Sequence, residues 1–354
     1  MKRIVGFDFA RALAILGMII VNYKIAMGAE DAGPDWLVAL TGLLEGRAAA
    51  TFVVLAGVGL SLFSRRARET GDPQALTQAR NTLFKRAGFL FVIGLLFATV
   101  WPADILHFYG VYLAIGALLL TAPSRRLWRV ALGCVLAALL LVLFLDYEQG
   151  WDWDNYDYVD FWQPAGMLRH VFFNGYHPVL PWIAFLLAGM WVGRQEVRDP
   201  VVQRRLLRWG LYAMVTGEVL SALLIGVFRP YGDVDVVNAL FGTRPMPPLP
   251  LYVLSAGGVA LVVISLSLMF TERHREARWL TPFVSMGQLA LTMYIAHVLI
   301  GLGVLEAFGV LEGHTLGFAV SSSLGFYTLA VWFAYLWRQR YQRGPLEWVM
   351  RAVA

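Results

Sequence analysis

Ten apolar runs, each of about helical-span length, constrain this chain more than anything else in it. They fall at about 6–28, 49–64, 86–101, 105–121, 127–145, 179–194, 207–228, 250–270, 280–306 and 316–337. About 20 apolar residues rising 1.5 Å each cross the ~30 Å hydrocarbon core of a bilayer. The connections test this division, because cytoplasmic loops collect Lys and Arg. Alternate connections hold 23 of the 29 basic residues. They are Lys2 and Arg3; Arg65, Arg66, Arg68, Arg80, Lys85 and Arg86; Arg125, Arg126 and Arg129; Arg194, Arg198, Arg204, Arg205 and Arg208; Arg273, Arg275 and Arg278; and Arg338, Arg340, Arg343 and Arg351. Both termini are expected in the cytoplasm. The fold class that follows is all-α: a polytopic integral membrane protein of about ten transmembrane helices, with residues 1–354 as a single transmembrane helical domain.

Composition agrees. The chain is 58% hydrophobic and only 15% charged, where a soluble domain averages roughly a quarter charged. The net charge of +5 suggests nucleic acid until its one-sided distribution is seen, and no nucleic-acid partner is expected; membrane lipids are. Cys134 is the single cysteine, which excludes an intrachain disulfide and a cysteine-rich metal site. It lies in a span and reads as a core filler.

The first run reads as a retained transmembrane helix, with no processing signal after it. It nonetheless carries Asp8, Arg11, Asn22 and Lys24. Ionisable groups in a membrane cost several kcal/mol unless they meet a partner or a watery cavity. Asp8 and Arg11, at i,i+3 spacing near the inner end, can offset one another. Lys24 can either meet a partner or snorkel to the interface, an escape that Asn22 lacks.

Further polar residues gather at the outer ends of other runs: Glu45 and Arg47 before span two, Asp104 and His107 between spans three and four, His177 opening span six and His297 late in span nine. The topology puts them all on the extracytoplasmic side, where they are candidates to line one cavity. An imidazole near neutral pKa, with a carboxylate fixing its tautomer, makes a general base. Three histidines without metal-ligand spacing do not make a zinc site, and no metal is expected. Glu218, in mid-span of the seventh helix, is expected to face the bundle and either to cap a polar network or to relay protons. The outer loop 146–162 alternates six carboxylates with Trp and Tyr. It reads as an aromatic belt on a solvated loop or, alternatively, as a platform for sugar rings. The pairs Gly57/Gly59 and Gly301/Gly303 lie within spans and suit close helix packing. On the inner side Arg65, Arg66 and Arg86 are either ordinary positive-inside residues or a phosphate dock for a cytosolic cofactor such as coenzyme A.

Five stretches carry a resemblance: GFDFARALAILGMIIVN, LEGRAAATFVVLAGVGLSLF, WPADILHFYGVYLAIGALLL, GQLALTMYIAHVLIG and RYQRGPLEWVMR. Together they resemble the YeiB-like family of bacterial inner-membrane proteins, most specifically in Asp104 to Tyr109 and Gly344 to Trp348. Asp8-x-x-Arg11 with the stretch ending at Asn22 is also similar to the catalytic domain of heparan-alpha-glucosaminide N-acetyltransferase. The stretch Tyr176 to Arg194 is so more loosely. That resemblance implies a membrane-embedded acyltransferase moving an acyl group, acetyl in the first instance, from cytosolic acyl-CoA to an extracytoplasmic glycan or other envelope component. One departure matters. The acyltransferase group places its catalytic His shortly after the Asn of the first helix, and this chain has no His between Asn22 and His107. A base must come from elsewhere, with His177 and His297 as first choices, Asp104 and His107 behind them, and Asn22 or Arg47 for the oxyanion. Glu45, Arg47 and Glu218 are assigned to substrate binding, and Arg65, Arg66, Arg86 and Arg11 to acyl-CoA. The rival from another class is a proton-coupled transporter or exporter of a small solute; a third reading is a non-catalytic membrane scaffold. Acceptor, acyl chain and oligomeric state stay open.

Overall fold

The computed structural model describes residues 3–154 and 156–354; Lys2 of the basic rim and Asn155 of the outer loop lie outside them. In chain order the elements are α1 Val5–Ala26, α2 Asp35–Gly42, α3 Arg47–Phe63, α4 Arg65–Thr70, α5 Pro73–Ala98, α6 Leu106–Leu118 and α7 Ser124–Phe144. A two-stranded antiparallel pair follows, β1 Trp151–Asp152 and β2 Asp157–Tyr158. Then come α8 Pro164–Arg169 with a π turn His170–Asn174, α9 Val179–Val192, α10 Pro200–Phe228, α11 Val234–Phe241 and α12 Pro250–Arg273. The chain ends with α13 Leu280–Gln288, α14 Ala290–Ala296 with a second π turn His297–Leu302, α15 Gly303–Ala307, α16 Leu316–Arg340 and α17 Pro345–Val353.

Among the described residues, eight helices are long and apolar enough to cross a membrane; α8 with α9 passes the same test as a pair bent by 51°, which is either a broken span or a re-entrant loop. The remaining apolar run is α6, whose 13 residues rise about 20 Å and fall short of a full crossing. The chain is an all-α, multi-pass membrane protein. Two helices start earlier than their apolar runs, and capping explains why. Asp72 Oδ1 accepts from Gln74 N at 2.9 Å before Pro73, and Asp199 Oδ1 accepts from Val201 N at 2.8 Å before Pro200. An Asp N-cap followed by Pro at the first position starts a helix wherever it stands, in lipid or in water.

Contacts divide the chain into two compact units. The first runs from the N-terminus through Phe52 and includes Gln203–Leu207 and Ala260–Val349; the second comprises Val53–Val202, Arg208–Val259 and Met350–Ala354. In the first unit α1 packs on α13, α14 and α16. Its small residues let backbones approach: a side chain at Gly17 would strike Ala48, and one at Gly287 would strike the Asp8 carbonyl. The Tyr327 hydroxyl donates to Ala12 O at 3.1 Å.

In the second unit α5 packs on α6, and α9 on α6 and α7. Here Gly57 faces the backbone of Leu186 and Met190, and Gly189 faces that of Val54. Helices in lipid associate through such small residues, since lipid tails supply no hydrophobic drive between them. Gly57→Ala should therefore lower the thermal unfolding midpoint in detergent, at an overpacking cost of about 1–3 kcal/mol. Gly59→Ala, with nothing within 4 Å, should leave it unchanged. Cys134 is half-buried on α7.

Candidate functional site

At the outer end of α1 three consecutive residues each engage something different. Asn22 points its amide at His297, with Nδ2 to Nε2 at 2.8 Å. His297 is fully buried, and its Nδ1 bonds the Tyr294 carbonyl. A carbonyl only accepts, so Nδ1 carries the proton and Nε2 presents its lone pair to the Asn22 amide. Tyr23 is buried, with its hydroxyl against Gly301, where a side chain would strike it. Lys24 does not snorkel: it is 2% exposed and ion-paired to Glu45. Arg47 begins α3 two residues beyond Glu45 and is half-buried.

His297 opens a π turn, a feature that recurs at functional sites because its wider spacing re-aims side chains. Five residues before it, the helix has only just restarted. Leu289, at φ −103° and ψ 29°, separates α13 from α14. Below that break sits the Asp8 carboxylate. It accepts from Arg3 Nε at 2.5 Å and from Arg11 Nη1 at 2.8 Å, and Arg11 also reaches Gly287 O at 3.2 Å. The i,i+3 pairing of Asp8 and Arg11 is thus present, and it draws the Arg11 guanidinium into α1's own network.

The second unit holds another imidazole group. Asp104 and His107 are fully buried. Asp104 Oδ2 accepts from the backbone N–H groups of Leu106 (2.8 Å) and His107 (3.1 Å), capping α6, and from His107 Nδ1 at 3.0 Å. His107 Nε2 has no hydrogen-bond partner among the described residues. Its ring lies 4.0 Å from Phe108 and 5.6 Å from His170, and Phe108 also meets His177 at 5.8 Å. The His177 carbonyl accepts from Tyr112.

The acidic-aromatic loop folds over this group. Trp151 stacks on Trp153 at 4.5 Å and donates to Asn174 O at 2.7 Å. The Tyr158 hydroxyl donates to Asn174 Oδ1 at 2.7 Å, and Arg169 holds Asp160 through two bonds of 2.7 Å. Burial pushes the Tyr158 phenol up, and the hydrogen bond from Arg169 opposes the shift. The loop is therefore partly built into the unit and is more than a solvated belt.

The outer candidates belong to both units. Asn22, Glu45, Arg47 and His297 belong to the first; Asp104, His107 and His177 belong to the second, as does the mid-span Glu218. Glu218 corrects an expectation: it is exposed on α10 and accepts from Ser255 Oγ at 2.5 Å and Thr243 Oγ1 at 2.9 Å. Ser255 is itself buried on α12, so the carboxylate joins a small polar network across neighbouring segments although its own residue is exposed. Of the inner arginines, Arg65 is bonded to Glu69 (2.6 Å) and Glu196 (3.2 Å). Arg66 and Arg86 line one cavity of about 760 Å³ with Arg351, Thr70, Gln78 and Thr82. Arg86 lies 4.9 Å over the Phe63 ring, and its Nε has no partner among the described residues. Sequence reasoning passed over His170, Asn174, Arg169 and Arg351. The seven-residue interval between His170 and His177 was the available signal for the first.

Residues 3–220 match the family described as heparan-alpha-glucosaminide N-acetyltransferase, catalytic. Residues 193–354 match one described as a protein of unknown function (DUF418). YeiB of Escherichia coli (strain K12) is 27% identical over 396 residues, covering 99% of this chain and 96% of its own. An uncharacterized 39.9 kDa protein in the amylase 3'region of Bacillus acidopullulyticus is 22% identical over 364 residues, covering 99% and 93%. The first of these matches points to acyltransferase-like function and spans more than half of the sequence. This chain therefore belongs to the family of the heparan-alpha-glucosaminide N-acetyltransferase catalytic region.

Proposed function

We propose that this protein is an acyltransferase of the bacterial inner membrane, moving an acyl group from cytosolic acyl-CoA to a hydroxyl or amine on an extracytoplasmic glycan or other envelope component. The contact between Asn22 and His297 carries this reading. The first helix supplies the family's Asn without a nearby His, and the π turn after α14 supplies an imidazole to that same Asn.

In the reaction, His297 Nε2 takes the proton of the acceptor as its oxygen or nitrogen attacks the thioester carbonyl. The Asn22 amide turns from Nε2 to the developing oxyanion. Collapse of the tetrahedral species breaks the carbon–sulfur bond, and the leaving thiolate takes the proton back from His297. The donor's phosphates suit the cavity of Arg66, Arg86 and Arg351, where guanidinium groups bind phosphate through paired hydrogen bonds.

The test is calorimetric binding of acetyl-CoA to the purified protein in detergent, followed by thiol release with glucosamine as first acceptor. Saturable binding, weakened at least tenfold by Arg86→Ala or Arg351→Ala, is the expected result. Folded protein that takes up no acetyl-CoA at millimolar concentration would overturn the reading. The transporter alternative draws on the 51° bend between α8 and α9 and the break at Leu289, since interrupted helices serve alternating access. Proton uptake by vesicles driven by a solute gradient would favour it.

A further inference from the structure

The motif Gly344-Pro-Leu-Glu-Trp348 has no role in the chemistry just described, yet its carboxylate is bonded to the helix that carries His297. Glu347 Oε1 accepts from the backbone N–H groups of Leu291 (2.8 Å) and Thr292 (3.1 Å), and Oε2 accepts from Thr292 Oγ1 at 2.6 Å. Leu346 N donates to Thr292 Oγ1 at 3.1 Å. The N–H groups of Leu291 and Thr292 lie in the first turn after the break at Leu289, where a helix has no partners of its own to offer them.

The rest of the motif serves that contact. A side chain at Gly344 would strike Glu347 Oε2 and come within 2.8 Å of Thr292 Oγ1 and 2.9 Å of Leu289 Cγ. Pro345 starts α17, and Trp337 Nε1 donates to Arg343 O at 2.7 Å, holding the turn before it. On the other side of the break, Arg11 bonds Gly287 O and Gln288 Nε2 bonds Asp8 Oδ2 at 3.3 Å. Both ends of the interruption are thereby pinned: α13 to the helix that carries Asn22, and α14 to the C-terminal segment.

We propose that Glu347 is a positioning residue for His297, fixing the start of the helix whose π turn presents the imidazole to Asn22. The catalytic part of this statement rests on the acyl-transfer reading; the geometric part does not. Without the carboxylate, two N–H groups and the Thr292 hydroxyl lose their acceptor, and α14 is free to shift along its axis.

The test uses the full chain, uniformly labelled with nitrogen-15 histidine, in detergent. The His297 ring resonances are assigned by their loss in His297→Gln. In Glu347→Ala they should move while those of the other five histidines stay in place. Glu347→Gln, whose amide oxygen still accepts from both N–H groups, should restore them. If acetyl transfer has been established, Glu347→Ala should lower kcat at least tenfold with KM for acetyl-CoA unchanged. An unmoved His297 signal in Glu347→Ala would overturn the proposal, as would displacement of all the histidines together, which marks general loosening. Because the resonance test needs no turnover, its failure is distinguishable from failure of the acyl-transfer reading.

Discussion

Replacing His297 by Ala is expected to lower acyl transfer by about 10²–10⁴-fold, the usual contribution of a positioned general base. Asn22→Ala should cost about 10²–10³-fold, the range for one oxyanion donor. The double variant should be scarcely worse than His297→Ala alone, because groups acting as a unit lose their effect together. Acetyl-CoA binding should persist in all three variants, since the arginines of the donor cavity are untouched. The imidazole is fully buried, so His297→Gln, which fills similar space and keeps a polar partner for Asn22, separates lost chemistry from lost folding. Wild-type rates in His297→Gln would remove the imidazole from the mechanism and send attention to His107, whose Nδ1 is oriented by Asp104 and whose Nε2 has no partner among the described residues.

The largest stability effect is expected at Lys24 and Glu45. Removing one member of a buried ion pair strands the other charge at about 3–5 kcal/mol. Glu45 is 35% exposed and Lys24 only 2%, so the stranded ammonium in Glu45→Ala is the costly case. Its cost should fall near the low end, about 3 kcal/mol, because water reaches the Glu45 side. Lys24→Met/Glu45→Ala, which removes both charges, should recover most of the loss, and thermal unfolding in detergent reads the difference. Equal midpoints for Glu45→Ala and the wild type would show that Lys24 is not held by this pair.

The spans were legible because lipid permits few alternatives: backbone must be satisfied within a helix, and apolar length measures the crossing. Even there, the Asp-Pro starts of α5 and α10 follow local capping that an apolar window averages away. The site was legible by type but not by pairing. Asn22 stood out as a polar residue needing a partner, yet its partner lies 275 residues away, and no periodicity links the two. Lys24 read equally well as a snorkelling residue until the segment after α2 placed Glu45 beside it. Glu218 went the other way, finding hydroxyl partners on an exposed helix edge. The break at Leu289 escaped notice because Gln288-Leu-Ala-Leu291 contains neither Pro nor Gly, and the carboxylate that takes up the N–H groups beyond it, Glu347, lies more than fifty residues away.

The distances in sequence between α1 and its partners also bear on how the protein is made. During synthesis α1 enters the membrane before its partners, with Asn22 and Lys24 aboard. Glu45 emerges about twenty residues later, so the lysine is neutralised almost at once. His297 follows only when most of the chain has been translated. Through that interval Asn22 lacks its His297 partner, and α1 must shelter its amide in water, lipid headgroups or the insertion machinery. Nascent chains stalled after α12 should leave α1 loosely inserted and open to extraction, and chains stalled after α16 should hold it fast.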